Sequence, residues 1–239
     1  NGTLDLVIAN NGGQADTVYA GDGDGNFTPM AILEPSNGRD VAVGDFNNDG
    51  NPDIAIAAVG PNLLYLGDGS GGFGAPIMLG DLASNSVAAG RFDDDQFDDL
   101  VFANSGGPSR LYSGRAGGVV PAGEIPVGDA AAVVAGDLTS DGLDDLVFAR
   151  KSASIDDIPS NPVFINQGNA TFGAPLAELG ISPTHDVHIG DVNEDGAPDL
   201  VFVNASGVHQ IWTSAGDGFD LHAEQIIDID AVAGVLVNL

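Results

Sequence analysis

One segment recurs along this chain and organises the rest of it: Gly44-Asp45-Phe46-Asn47-Asn48-Asp49-Gly50-Asn51-Pro52-Asp53-Ile54-Ala55-Ile56. Oxygen-bearing side chains stand at its first, third, fifth and ninth positions, counted from Asp45. They can converge on one hard cation only if the backbone turns sharply. Gly50 at the sixth position permits that turn. The segment therefore predicts a calcium-binding loop.

The segment differs from the EF-hand loop, which needs a glutamate at its twelfth position and a helix on each side. The twelfth position here is Ile56, and a short apolar run follows Asp53 and ends at Gly60-Pro61. Such a run is typical of a buried β-strand. We therefore expect the loop to connect two strands.

The ninth position of the segment returns along the chain at intervals of about 46 to 54 residues, which indicates an internal repeat. Its copies are Asp5, Asp53, Asp99, Asp145 and Asp199. Four short strands with turn signals fit between successive copies, which is the pattern of a β-propeller blade, although an open stack of sheets is an alternative. Residues 229–239 align with a first strand, whereas the chain begins with second-strand sequence, so the last strand can complete the first blade and close the ring.

The sequence thus predicts an all-β fold, a five-bladed β-propeller of four-stranded antiparallel blades in a single domain over 1–239. The repeats are expected near residues 1–33, 38–80, 84–127, 130–179 and 184–228, with the closing strand at 229–239.

Composition excludes several classes of function. The formal net charge is −29, with 35 acidic and 6 basic residues, so little is available to neutralise phosphates. We expect neither nucleic acid nor an anionic membrane surface as a partner. The absence of cysteine excludes disulfides, thiol catalysis and Cys-ligated metals. No apolar run is long enough for membrane insertion as a helix.

The Asp-rich loops, together with Phe73-Gly74-Ala75-Pro76 and Phe172-Gly173-Ala174-Pro175, resemble the FG-GAP/VCBS repeats of integrin α-chain heads and of many secreted microbial proteins. The resemblance covers essentially the whole chain. It implies a propeller that binds calcium between the first and second strands of a blade, in a secreted or cell-surface protein.

Three loops keep a full set of the family's ligand positions. These are Asp45, Asn47, Asp49, the Asn51 carbonyl and Asp53; Asp137, Thr139, Asp141, the Leu143 carbonyl and Asp145; and Asp191, Asn193, Asp195, the Ala197 carbonyl and Asp199. We expect about three Ca²⁺ sites with a structural role, because the chain has no disulfides to hold its loops.

The third loop departs from the pattern, because Arg91 replaces the first ligand and Gln96 replaces the turn glycine. We predict that the Arg91 guanidinium takes the place of the ion among Asp93, Asp95 and Asp99. No calcium is expected at this loop or at the closing blade, which has valines at ligand positions.

The predicted function is a calcium-stabilised extracellular binding module that recognises carbohydrate or a protein surface. Ligand contacts are expected on the face opposite the calcium loops, with six candidate residues: Asn10, Arg39, Asn104, Arg150, His185 and Asn204. The alternative is a polysaccharide-acting hydrolase or lyase with a carboxylate cleft on that face. No motif or carboxylate spacing singles out a catalytic residue.

Overall fold

The computed structural model of the protein describes residues 2–151, 160–180, 182–205, 208–215 and 218–226, without the side chains of 223–226. In these ranges the chain forms nineteen strands and no helix, and therefore no helix that could span a membrane. The strands form five separate antiparallel sheets in chain order. This confirms the predicted five-bladed, all-β propeller.

The strands of the first two blades are β1 (Leu6–Ile8), β2 (Ala15–Gly21) and β3 (Phe27–Pro35), followed by β4 (Gly38–Gly44), β5 (Asp53–Ala58), β6 (Asn62–Tyr65) and β7 (Ile77–Leu79). The third blade contains β8 (Ser84–Gly90), β9 (Asp99–Asn104), β10 (Ser109–Arg115) and β11 (Gly118–Ile125). The last two contain β12 (Ala130–Gly136), β13 (Asp145–Arg150), β14 (Asn161–Phe164) and β15 (Ala177–Leu179), then β16 (Thr184–Gly190), β17 (Asp199–Asn204), β18 (Val208–Ala215) and β19 (Gly218–Ile226).

Blade 1 has three strands in the described residues, and each of the other blades has four. Its strand β1 corresponds to the second strands β5, β9, β13 and β17, because each follows the ninth-position aspartate. Leu6 and Ile8 of β1 are 40% and 37% exposed, whereas all of β5 and β9 is buried. The closing strand predicted at 229–239 lies outside the described residues and stays a prediction.

The first strands of blades 2 to 5 surround the axis, because β4, β8, β12 and β16 contact one another in that order. Each first strand ends in the loop that leads to the next strand. We call the face carrying these loops, after Gly44, Gly90, Gly136 and Gly190, the loop face. The opposite face, where the first strands begin at Gly38, Ser84, Ala130 and Thr184, is the entry face.

The hydrophobic core is divided into four clusters, and each of them joins two consecutive blades. The aromatic residues of the third strands of blades 2 to 5 pack in these clusters: Tyr65, Tyr112, Phe164 and Trp212. Tyr112 meets Phe102 edge-to-face with 5.7 Å between ring centroids, and Phe164 meets Phe148 at 6.0 Å. These aromatic residues therefore hold blades together in the core.

Candidate functional site

The second-repeat loop brings its polar oxygens together around its own backbone. The amide of Asp49 donates to Oδ1 of Asp45 at 3.0 Å and to Oδ1 of Asn47 at 2.9 Å. Oδ2 of Asp45 accepts from the amide of Gly50 at 2.9 Å. Two predicted ligand oxygens thus lie within about one hydrogen-bond length of a single atom, as a convergent cation site requires.

The fifth-repeat loop has the same arrangement. Asp195 donates its amide to Oδ1 of Asp191 at 3.1 Å and to Oδ1 of Asn193 at 2.9 Å. In the fourth-repeat loop, Oδ1 of Asp137 accepts from the amides of Thr139 and Asp141, both at 3.2 Å. The three loops chosen from the sequence therefore share the bonds from the fifth- and sixth-position amides to the first-position carboxylate. Only the second and fifth loops add a bond to the third-position side chain.

These three loops also share one backbone conformation. Each has a left-handed residue at the fourth position, Asn48, Ser140 or Glu194, followed by a left-handed glycine at the sixth, Gly50, Gly142 or Gly196. The third loop has no positive φ at Asp94 or Gln96. Replacement of the turn glycine by Gln96 therefore accompanies a different loop path, since a side chain disfavours the left-handed region.

The predicted position of the Arg91 guanidinium is wrong. Arg91 is exposed, and no ion pair joins it to Asp93, Asp95 or Asp99 in the part of the chain that the structure describes. Oδ1 of Asp93 accepts the Asp95 amide, and both oxygens of Asp99 accept backbone amides. The guanidinium therefore remains in solvent.

The ninth-position aspartates have a role that the sequence did not reveal. Oδ2 of Asp53 accepts the amide of Phe46 at 3.1 Å and Oδ1 accepts that of Gly67 at 2.9 Å, so this carboxylate fastens the loop to the end of the third strand. Equivalent pairs of bonds are made by Asp99, Asp145 and Asp199. The sequence carried one signal of this role, because the aspartate recurs in every repeat, including the third.

Burial affects the ionisation of these aspartates. Desolvation raises the pKa of Asp53, Asp99 and Asp145, against the lowering effect of their backbone hydrogen bonds. The pKa of Asp99 is raised to about 6. A bound cation would favour the charged form of Asp53 and Asp145.

A second unpredicted contact links loops of neighbouring blades. Oδ2 of Asp98 accepts the amide of Asp45 at 2.8 Å, and Oδ2 of Asp144 accepts that of Arg91 at 2.8 Å. A Cβ atom on Gly44 would lie 2.9 Å from the Asp98 carboxylate. The glycine before the loop therefore leaves room for this inter-blade bond.

The remaining predicted ligands are the carbonyls of Asn51, Leu143 and Ala197. Their own amides donate to Oδ1 of the fifth-position aspartate of the same loop, at 2.8 to 2.9 Å. In the described ranges no three Asp, Glu or His side chains form a metal-binding group. The donor set that fits calcium is the mixture of carboxylate, amide, hydroxyl and carbonyl oxygens in each loop.

All six predicted ligand residues lie at strand ends on the entry face. Asn104 and Asn204 are buried there, each 1% exposed. Asn62 of blade 2 donates to the Ser84 hydroxyl of blade 3 at 2.9 Å, and this hydroxyl donates to Oδ1 of Asn104 at 2.8 Å. Asn161, Thr184 and Asn204 repeat this relay between blades 4 and 5. These contacts give Asn104 and Asn204 a part in holding the fold.

The other four candidates differ in accessibility. Arg39 is exposed and donates from Nη1 to Oδ1 of Asn85. Asn10, Arg150 and His185 are half-buried. Asn10 donates from Nδ2 to the carbonyl of Ala15 at 2.7 Å.

A β-bulge at the start of each first strand determines which residues occur at the axial end of the entry face. The register shifts leave Arg39, Asn85, Ala131 and His185 at the bulge positions of blades 2 to 5. A bulge redirects its side chain relative to the regular strand. Asn85 was missed by sequence reasoning because nothing in its neighbourhood marks a bulge.

A pocket of about 350 Å³ lies between blades 4 and 5 on the loop face. Its lining is mostly apolar and comprises Leu138, Thr139, Ile165, Leu176, Ser214, Gly218 and Phe219. Leu138 and Thr139 belong to the fourth-repeat loop, so this pocket adjoins one of the predicted calcium sites.

A model of the FG-GAP-like repeat matches residues 1–56, 45–101 and 137–202, which together span more than half of the chain. The chain belongs to the FG-GAP-like repeat family. No curated protein matches this FG-GAP-like propeller in sequence.

Solved structures resemble the FG-GAP-like propeller in fold. One is a lectin of Agrocybe aegerita that recognises non-reducing terminal N-acetylglucosamine, with a TM-score of 0.56, 16% identity, and coverage of 96% of this chain and 67% of the lectin. Another is BBS1N in complex with ARL6DN, with a TM-score of 0.55, 13% identity and coverage of 87% of this chain. The propeller spans 60% of the length of that BBS1N chain.

Proposed function

We propose that the protein is a calcium-stabilised extracellular binding module whose entry face recognises carbohydrate or a protein surface. Two structural neighbours support this class of function, since one is a lectin and the other is bound to a protein partner. The observation that carries the proposal is the group of polar bulge residues at the axial end of the entry face, where Arg39 and Asn85 of adjacent blades are joined by a side-chain hydrogen bond.

Calcium would be held by the second, fourth and fifth loops. The convergence of Asp45 and Asn47 on one amide, and the same convergence of Asp191 and Asn193, support this assignment. Calcium sites of extracellular modules are occupied at the high concentrations outside cells. A secreted or cell-surface location is therefore part of the proposal.

A glycan-binding screen tests the function, run once with calcium and once with a chelator. We expect binding to a defined class of sugars that weakens with chelator, and that is lost on Arg39→Gln or His185→Ala. Phe219→Ala in the loop-face pocket serves as the matched control and should retain binding. If the folded, calcium-loaded protein binds no glycan, carbohydrate recognition is contradicted and the protein-surface function remains for a partner screen.

A hydrolase or lyase is less well supported by the geometry. Asp40 and Asp186 approach the axis from blades 2 and 5, and burial raises the pKa of Asp40. Oδ2 of Asp40, however, accepts the amide of Val87 at 3.0 Å and joins the first strands of blades 2 and 3. This contact gives the carboxylate a structural task, so binding accounts for more of the observed arrangement than catalysis does.

A further inference from the structure

Positive charge is unevenly placed on this strongly acidic protein. Only 6 residues are basic against 35 acidic ones, yet Arg39 and Lys151 lie on the same part of the entry face. Arg39 donates to Asn85, and Asn85 donates from Nδ2 to the carbonyl of Ala130 at 2.7 Å. Lys151 donates its amide to the carbonyl of Asp129, the residue before Ala130, at 3.2 Å. This chain of contacts brings together blades 2, 3 and 4.

Neither cation has an acidic partner within the described ranges. Ion pairs there involve other residues, such as Arg110 with Glu124 and His188 with Asp186. Partial burial and the positive charge of Arg39 both lower the pKa of Lys151. Two like charges close together, with no acidic partner among the described residues, are an arrangement that a bound anion would stabilise.

The nearest part of the axis does not supply that anion. The Asp40 carboxylate, next to Arg39 in sequence, bonds to the amides of Val41 at 2.8 Å and Val87 at 3.0 Å. Asp186 bonds to the amide of Val187 at 2.9 Å and faces His188 at 3.3 Å. Asp40 is therefore engaged by its own strand and by the first strand of blade 3, and Asp186 by its own strand.

We propose that Arg39, Lys151 and Asn85 form a site for one carboxylate group carried by a sugar acid. A guanidinium presents parallel N–H donors that match a carboxylate, the ammonium adds a point charge, and the Asn85 amide offers further hydrogen bonding. A polyanion does not suit the site, since a net charge of −29 would repel every charge beyond the first. This inference rests on the proposed carbohydrate-binding function and names its ligand class.

Calorimetric titration with sodium glucuronate tests the site, with glucose and sodium acetate as comparison ligands. We expect glucuronate to bind at least tenfold more tightly than glucose or acetate. Its affinity should fall as the salt concentration is raised from 50 to 300 mM. Arg39→Gln and Lys151→Gln should each reduce glucuronate affinity at least tenfold. Arg39→Lys should lose less glucuronate affinity than Arg39→Gln, because lysine keeps the positive charge but lacks the parallel N–H donors of the guanidinium.

Arg91→Gln is the matched control, since Arg91 is an exposed arginine on the loop face, and it should bind like the unmodified protein. Thermal melts establish that all variants are folded. Equal affinity for acetate and glucuronate would overturn recognition of a sugar, and equal glucuronate affinity in Arg39→Gln and the parent would overturn the site. Binding of a neutral glycan by a parent protein that does not bind glucuronate would reject this inference while leaving the proposed function intact.

Discussion

Asp99 illustrates how the ninth-position aspartate serves the fold through its hydrogen bonds to the backbone. It occupies the ninth position of the third loop, where Arg91 replaces the first calcium ligand, and it is fully buried. Its two oxygens accept the amides of Phe92 and Gly114, both at 2.9 Å. The aspartate therefore joins the loop to the third strand in a repeat that we expect to bind no calcium.

Substitution of Asp99 by asparagine tests this fastening role. Asn would place an amide NH₂ against one of the two backbone donors, so one buried amide would lose its acceptor. We expect the free energy of unfolding to fall by about 1–3 kcal/mol, measured by urea denaturation. Asp94→Asn, an exposed position in the same loop, should change stability by less than about 0.5 kcal/mol. An Asp99→Asn protein as stable as the Asp94→Asn control would contradict the role.

The raised pKa of Asp99 predicts a pH dependence of stability in calcium-free protein. Its pKa is about 6 in the folded state and 3.8 as the ordinary value, so the native state binds the proton more tightly. The stabilisation from protonation is complete below about pH 3.8 and is lost as pH rises through 6. We expect the free energy of unfolding to increase as pH falls from 7.5 to 5. Urea denaturation across this range should show that the free energy of unfolding depends less on pH in Asp99→Asn than in the parent protein. An equal pH dependence in both would refute the assignment to Asp99.

At the scale of elements, the sequence predicts the loop between the first and second strands but not the contacts that this region makes with neighbouring strands. The ligand spacing and Gly50 predicted a sharp turn before a buried strand, and both are present, because local chemistry determines them. The bulge at Arg39 and the relay through Ser84 depend on neighbouring strands, so no local pattern marks them. The Arg91 prediction failed although the charges were correctly paired by type, because the sequence does not show where the loop path directs this exposed side chain.

Calcium stoichiometry distinguishes the loops. Asp49→Ala removes the fifth-position ligand of the second loop, and we expect calorimetric titration to show about two sites where the parent shows about three. Asp95→Ala makes the matching change in the third loop and should leave the number of sites unchanged. Five equal sites in the parent, or a site lost in Asp95→Ala, would show that the distinction between these loops is mistaken.

At the scale of the whole molecule, stability is shared between blades. Each of the four hydrophobic clusters draws on two consecutive blades, and no disulfide reinforces them. The acidic residues of this chain repel one another in the compact state. Bound cations would reduce that repulsion as well as hold individual loops.

Removal of calcium should therefore destabilise the entire propeller. For each site, a free calcium concentration 100 times the dissociation constant stabilises the folded state by about 2.7 kcal/mol. We expect thermal melts to show a large fall in Tm on addition of chelator, reversed by excess calcium. Magnesium at the same concentration should restore less of the lost Tm than calcium does, because magnesium demands a tighter octahedral geometry. A Tm indifferent to chelator would exclude calcium as a structural component.

The relay from Asn62 through Ser84 to Asn104 has a consequence for recombination of propellers. The donor Asn62 belongs to one blade, and the acceptors Ser84 and Asn104 belong to the next. A transplanted blade therefore brings only some of the residues that form these hydrogen bonds with its new neighbours. The exchangeable unit is therefore the wedge from the third strand of one blade to the second strand of its successor. Chimaeras cut inside blades along these wedges should assemble better than chimaeras cut between blades.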